Sequence, residues 1–226
     1  MERHFDEELI FLRKDIIIMG SLVENAISGS IEALKKLSRE EAEGIIAHDE
    51  AIDQLEVKIV NTCVSLLALR QPMAVDLRFI TMAMQINTDL ERMADLAVDI
   101  AERVLELADK PLLKPLVDIP SLSAIACEMT RGVIKAFLND DVELAKAIIL
   151  RDREADSLRD LVQSELVNDY MIKDPSTIPR ALPLLLIARH LERICDHATN
   201  IAEDIIYIAQ AKMVKHRLEY LDDIGQ

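Results

Sequence analysis

Carboxylates recur at four-residue steps in two stretches of this chain. The first holds Glu91, Asp95 and Asp99 with Glu102 close behind; the second holds Glu192, Asp196, Asn200 and Glu203. A helix advances about 100° per residue, so each set falls within an arc of roughly 80°. The apolar positions Leu90, Ala94, Ala97 and Ala101 lie to one side of the first arc, which puts the acids at the border of a buried stripe. Two shorter pairs, Asp49 with Asp53 and Asp152 with Asp156, sit upstream. If the helices carrying pair and ladder run antiparallel, four or five carboxylates would converge. Such a group repels itself unless it is protonated or bridged by a cation. Oxygen-only donors suit hard divalent ions: Mg, Ca, Mn or ferrous Fe. For any single ladder a solvated, metal-free face is the plainer reading, with Arg92 and Arg103 offsetting its charge. Two ladders with the same spacing favour a metal-associated cluster over that reading.

The elements that must position these acids are helices. Apolar residues at three- and four-residue spacing predict six of them, over 5–37, 39–70, 74–109, 121–139, 142–171 and 178–220. Ile45, Ile52, Leu55 and Ile59 form one such stripe. Ser38, Gln71-Pro72, 139–141 and Asp174-Pro175 are short breaks between them. The segment 110–120, with Pro111, Pro115 and Pro120, reads as an extended linker. Aromatics make up only 3% of the chain and five glycines occur, so the core must be aliphatic, which suits helices better than sheets.

The two sides of the linker match. At a shift of 103, Gly29, Ile31 and Ala33 meet Gly132, Ile134 and Ala136, while Ala42, Ile45, Asp49 and Asp53 meet Ala145, Ile148, Asp152 and Asp156. At a shift of 101, Leu90-Glu91-Arg92 and Asp95 meet Leu191-Glu192-Arg193 and Asp196, and Ile100-Ala101-Glu102 meets Ile201-Ala202-Glu203. The register change falls between second and third helices, where length is free to vary. A duplicated three-helix unit follows, all-α, as two tandem homologous bundles with antiparallel neighbours. The units are expected over 1–112 and 121–226, with 113–120 between them.

A formal net charge of −15 argues against nucleic acid as a direct partner and leaves bare phosphate in need of a bridging cation. Cys63, Cys127 and Cys195 form no CxxC pair and read as buried thiols in a reducing compartment. The charged start lacks a signal-peptide core, and the uncharged stretch 181–188 is far short of the roughly 20 residues that span a bilayer, so the expected location is cytoplasmic. His190 and His197 flank the second ladder, but their repeat counterparts are Asp89 and Leu96, which makes them hydrogen-bonding or peripheral residues; His4, His48 and His216 carry no pattern. A carboxylate-bridged metal oxidase requires Glu-x-x-His. The residues three before His48, His190, His197 and His216 are Ile45, Ile187, Ile194 and Met213.

With both ladders, the duplication and the acidic opening Phe5-Asp6-Glu7-Glu8-Leu9, the sequence resembles the PhoU family of accessory regulators of phosphate transport. The resemblance covers essentially the whole chain. It implies two three-helix bundles side by side, often as a homodimer, with surface metal clusters and no enzymatic activity. Carried over, one cluster uses Asp49, Asp53, Glu91, Asp95 and Asp99, and the other Asp152, Asp156, Glu192, Asp196 and Asn200. The second is expected to be the weaker site, since Asn200 is neutral and Arg153 and Arg159 stand where the first unit has Glu50 and Glu56. The implied role links a phosphate ABC transporter to a sensor histidine kinase and restrains signalling and uptake when phosphate is plentiful. Contact with the membrane would come only through those partners.

Overall fold

The computed structural model describes residues 2–212; the far end of the sixth expected helix and His216 lie outside the described residues. Six helices carry the chain: α1 (Glu2–Lys36), α2 (Arg39–Arg70), α3 (Ala74–Leu107), α4 (Asp118–Asn139), α5 (Val142–Glu165) and α6 (Ile178–Gln210). No strand occurs among the described residues. The sixth helix, expected to reach 220, closes at Gln210, where Ala211 takes left-handed backbone and donates its N–H to Tyr207 O, and two further details differ from expectation. First, α4 starts at Asp118, inside the expected linker, because Ile119 and Leu122 are drawn into the core and Pro120 is tolerated in a first helical turn. Second, α5 closes in a π-helical turn, Leu166–Met171, followed by the 3-10 turn Pro175–Thr177. That wide turn falls where the repeat register changes.

The duplication is visible in single hydrogen bonds. Leu37 and Asp140 both adopt left-handed backbone, with φ of 50° and 51°. The next residues, Ser38 and Asp141, donate their N–H groups to Ala33 O and Ala136 O, each at 2.9 Å. This six-to-one closure satisfies carbonyls that the helix end leaves open. The same two residues then cap the following helix. Ser38 Oγ accepts from Glu41 N at 3.2 Å, and Asp141 Oδ1 from Leu144 N at 3.0 Å. Each turn thus ends one helix and starts the next within two residues, which forces antiparallel packing.

Within each unit the three helices pack on one another; between units α3 packs on α6 and α1 on α4. Both crossings run antiparallel. Asp89 meets His197 while Asp99 meets His190, and Arg13 meets Asp140 while Glu24 meets Arg131. An approximate two-fold therefore relates the halves, and their apolar residues merge into one core. α3 buries Met93, Ala94, Leu96, Ala97, Ile100 and Ala101, far wider than one stripe, because it faces both its own unit and α6. α2 buries only the narrow row Ala42, Ile52, Ile59, Cys63 and Leu66. So α3 and α6 are central, and α2 and α5 are outer.

α1 qualifies by length and composition to cross a bilayer over 4–36. In the fold, however, its stripe of Leu12, Ile16, Met19, Val23, Ile27 and Leu34 is fully buried against the neighbouring helices. Pro183 lies inside α6 and cannot donate to the carbonyl four residues back. Lys110 Nζ fills that gap, donating to Pro179 O at 3.2 Å. All three cysteines are free thiols; Cys63 and Cys195 are buried and Cys127 is half-buried.

Candidate functional site

Because α2 runs antiparallel to α3, and α5 to α6, each short acid pair is brought to its ladder. In the first unit burial, then the charges of Asp53 and Asp95, raise the Asp49 carboxyl above its ordinary range. Burial and Asp95, Glu56 and Asp53 do the same to Glu91, partly offset by Arg92. Asp95 is raised by burial, Asp53 and Asp99. Glu56 escapes the sequence reading as a cluster member, although its position seven residues beyond Asp49 puts it on the same side of α2.

The second unit repeats the arrangement with a different charge balance. Burial, followed by Asp196, Asp156 and Glu192, pushes Asp152 up to about 6. Its Oδ1 is buried and has no hydrogen-bond partner. Burial and Asp196 raise Glu192, and burial and Asp156 raise Asp196. Here, though, Arg159 stands among the acids, reaching Asp160 at 2.7 Å, Glu192 at 3.2 Å and Asp156 at 3.6 Å. In the first ladder, the outer member Glu102 is also paired, with Arg103 at 3.1 Å.

The fifth positions of the two sets face elsewhere as well. Asp99 lies 3.7 Å from His190 Nδ1 on α6. Asn200 Nδ2 donates to Asp89 Oδ1 at 3.5 Å, and His197 Nδ1 lies 2.8 Å from the same oxygen. The repeat register makes Asp99 equivalent to Asn200 and His190 equivalent to Asp89. The two-fold thus maps an Asp–His contact onto an Asn–Asp contact. The Asp-to-Asn difference between the ladders therefore has a structural partner. An aspartate at 200 would set a second carboxylate against the buried Asp89.

Four-residue steps on a straight helix are about 6 Å apart along the axis, so each ladder is a row and not a cage. Accordingly, among the described residues no three His, Cys, Asp or Glu side chains are arranged to hold one ion. What the grooves offer a cation is donor type and charge. Hard oxygen ligands gather, most are destabilised by one another, and one buried carboxylate oxygen is unpaired.

Two helical units fused through their third helices, each with an acid-lined groove beside its second, define a duplicated all-α scaffold that carries its chemistry on outer grooves. The PhoU domain matches this chain twice, over residues 16–104 and 119–205, and the chain belongs to the PhoU family. It is 44% identical to the phosphate-specific transport system accessory protein PhoU homolog of Aquifex aeolicus, over 93% of this chain and 95% of that one. It is similar in structure to PhoU from Pseudomonas aeruginosa, with a TM-score of 0.89 and 34% identity over 92% of this chain and 100% of the other. The phosphate transport system regulatory protein PhoU from Streptococcus pneumoniae gives a TM-score of 0.87 and 33% identity, over 93% and 99%.

Proposed function

We infer that this chain is a non-enzymatic accessory regulator of phosphate transport, working as a metal-associated adaptor between a phosphate ABC transporter and a sensor histidine kinase. The observation that carries this reading is near full-length similarity, across both units, to proteins named as accessory or regulatory components of phosphate transport. The adaptor acts in the cytoplasm as a homodimer and restrains the phosphate-starvation response when phosphate is plentiful. Asp49, Asp53, Glu91, Asp95 and Asp99 would hold divalent ions on one groove, and Asp152, Asp156, Glu192 and Asp196 on the other. A bound hard cation supplies positive charge and open coordination positions to acidic or phosphorylated groups of a partner. The chain's own contribution is to keep uncompensated carboxylates in rows along a rigid pair of helices.

A metal-free adaptor is the second reading, favoured by the lack of a closed three-ligand cage among the described residues. One experiment separates the two. Chelator-treated protein is titrated with Mg, Mn, Ca or ferrous ions while its melting temperature is followed. Alongside it runs a variant with Glu91, Asp95, Glu192 and Asp196 all changed to Ala. The metal-associated reading expects a rise of several degrees in the parent and none in the variant, since a ligand that binds only the folded state stabilises it. It also expects the variant to lose binding to transporter and kinase cytoplasmic fragments. Equal binding by parent, variant and stripped protein would leave the metal-free adaptor standing.

A further inference from the structure

A cleft of about 460 Å³ lies between α5 and α6 and is lined by Arg159, Gln163, Arg189, Glu192, Arg193 and Asp196 among others. Its basic side chains are not all needed by the fold. Arg159 is engaged by acids through its terminal nitrogens, but its Nε is buried without a hydrogen-bond partner. Arg189 and Arg193 stand one turn apart on the same side of α6, both exposed. Neither makes an ion pair or a hydrogen bond within the described residues. Each stands three residues before a ladder acid, Arg189 before Glu192 and Arg193 before Asp196, and its charge partly offsets that carboxylate.

Comparison of the two units sharpens this. In the repeat register Arg159 and Arg189 stand where the first unit has Glu56 and Thr88, while Arg193, Glu192 and Asp196 match Arg92, Glu91 and Asp95. The second groove has gained two cations and lost one anion relative to the first. Of its two lining carboxylates, Glu192 is paired with Arg159, and Asp196 shares the cleft with Arg189 and Arg193, neither of them in a close ion pair among the described residues. The charged side chains lining the cleft are three arginines and two acids, with Asp156 and Asp160 also reaching Arg159.

We propose that the α5–α6 cleft binds a phosphate-type oxoanion directly through Arg189 and Arg193, with the Arg159 Nε–H and the Gln163 amide as further donors in the same cleft. Guanidinium groups suit this ligand because their fixed forks present parallel N–H donors to two oxygens of one anion. The second groove then offers an anion site along its arginine edge, beside the acids that the proposed function assigns to divalent ions. The site does not depend on metal at either acid row, and it revises locally the expectation that phosphate needs a bridging cation.

Isothermal titration of the chelator-treated full chain with inorganic phosphate, and separately with phenyl phosphate, tests it. The expected result is saturable one-to-one binding without metal, weakened at least tenfold in the Arg189→Ala/Arg193→Ala variant and unchanged in Arg92→Ala. The Arg189→Lys/Arg193→Lys variant, which keeps charge but loses the fork, falls between, and circular dichroism verifies folding of each. Tighter binding of inorganic phosphate identifies the free anion as the source of the group, and tighter binding of phenyl phosphate an esterified one. No saturable binding, or equal binding by the double alanine variant, overturns the site. Binding that appears only with divalent ions and vanishes in the quadruple acid variant also overturns it, while supporting the metal-associated function.

Discussion

At the scale of single residues, the acid grooves are places where the fold is held against local repulsion. Asp152 is the sharpest case, with a carboxyl pushed up to about 6 by burial and three neighbouring acids. A folded-state value above the unfolded one means the native state binds the proton more readily. Stability therefore rises as pH falls through about 6 towards the unfolded value near 4, and the penalty is fully present above that window. Asp152→Asn removes the charge and keeps the shape. In metal-free buffer at pH 7.5 it should gain on the order of 1 kcal/mol, after discounting a half-buried group for solvent screening. At pH about 4.5 the gain should shrink towards zero, since the parent is then protonated there. Urea unfolding of both proteins across that range measures it, and a gap that widens on acidification would contradict the assignment. The acids themselves could be read from spacing alone, because a four-residue period survives any packing. The effect of Arg159 and Asn200 on the charge of the second site was legible too, but the partners of Arg159, His197 and Asn200 were not, because they come from another helix or the other unit.

At the scale of elements, the duplicated turns explain why periodicity was such a good guide. Leu37-Ser38 and Asp140-Asp141 stop and restart the chain with the same bonds, so helix bounds are written locally. The π turn at the end of α5 has no such local mark; the residues Leu166–Met171 continue a helical pattern, and the register shift, which shortens this connection by two residues relative to the first unit, does not point to a widened turn. Gly20, Gly29 and Gly132 mark close helix approaches, whereas Gly44 faces open space. At Gly29 and Gly132 an added Cβ would press on the Cδ1 tip of Ile45 or Ile148, at 2.7 and 2.9 Å, which a side-chain rotation can relieve. At Gly20 it would enter the body of the Ile134 side chain, which belongs to α4 across the interface between units. Gly29→Ala should therefore be close to neutral, the strain offset by about 1 kcal/mol of better helix propensity. Gly20→Val should cost about 1–3 kcal/mol by overpacking, with partial recovery when Ile134→Ala is added. Thermal melts of the three variants decide it. Equal melting of Gly20→Val and parent would mean that α1 and α4 are not in close contact.

At the scale of the whole molecule, the two bundles stand side by side as the repeat implies, and they share one core that the repeat alone does not reveal. Periodicity reports that a face is apolar but not which partner covers it. α3 carries the clue in its breadth, since Met93, Ala94, Leu96, Ala97, Ile100 and Ala101 bury more than one side of the helix. α6 does the same with Ile201, Ala202, Ile205 and Ile206 beside Cys195 and Ala198. Split between the units, each half would expose the face of its central helix that now meets the other, along with the seam where Arg13 of α1 and Phe79 of α3 meet Phe137 of α4. An apolar face of that size is unstable in water and prone to self-association. Residues 1–112 and 113–226 produced separately should accordingly be poorly cooperative in thermal melts and aggregate or self-pair on size exclusion. Mixed or co-expressed, they should recover a single sharp transition and elute as a one-to-one complex. Two halves that each melt cooperatively as monomers, with no change on mixing, would restore the picture of independent bundles. That outcome would also loosen the link between the grooves, because the single rigid core is what fixes one acid row relative to the other.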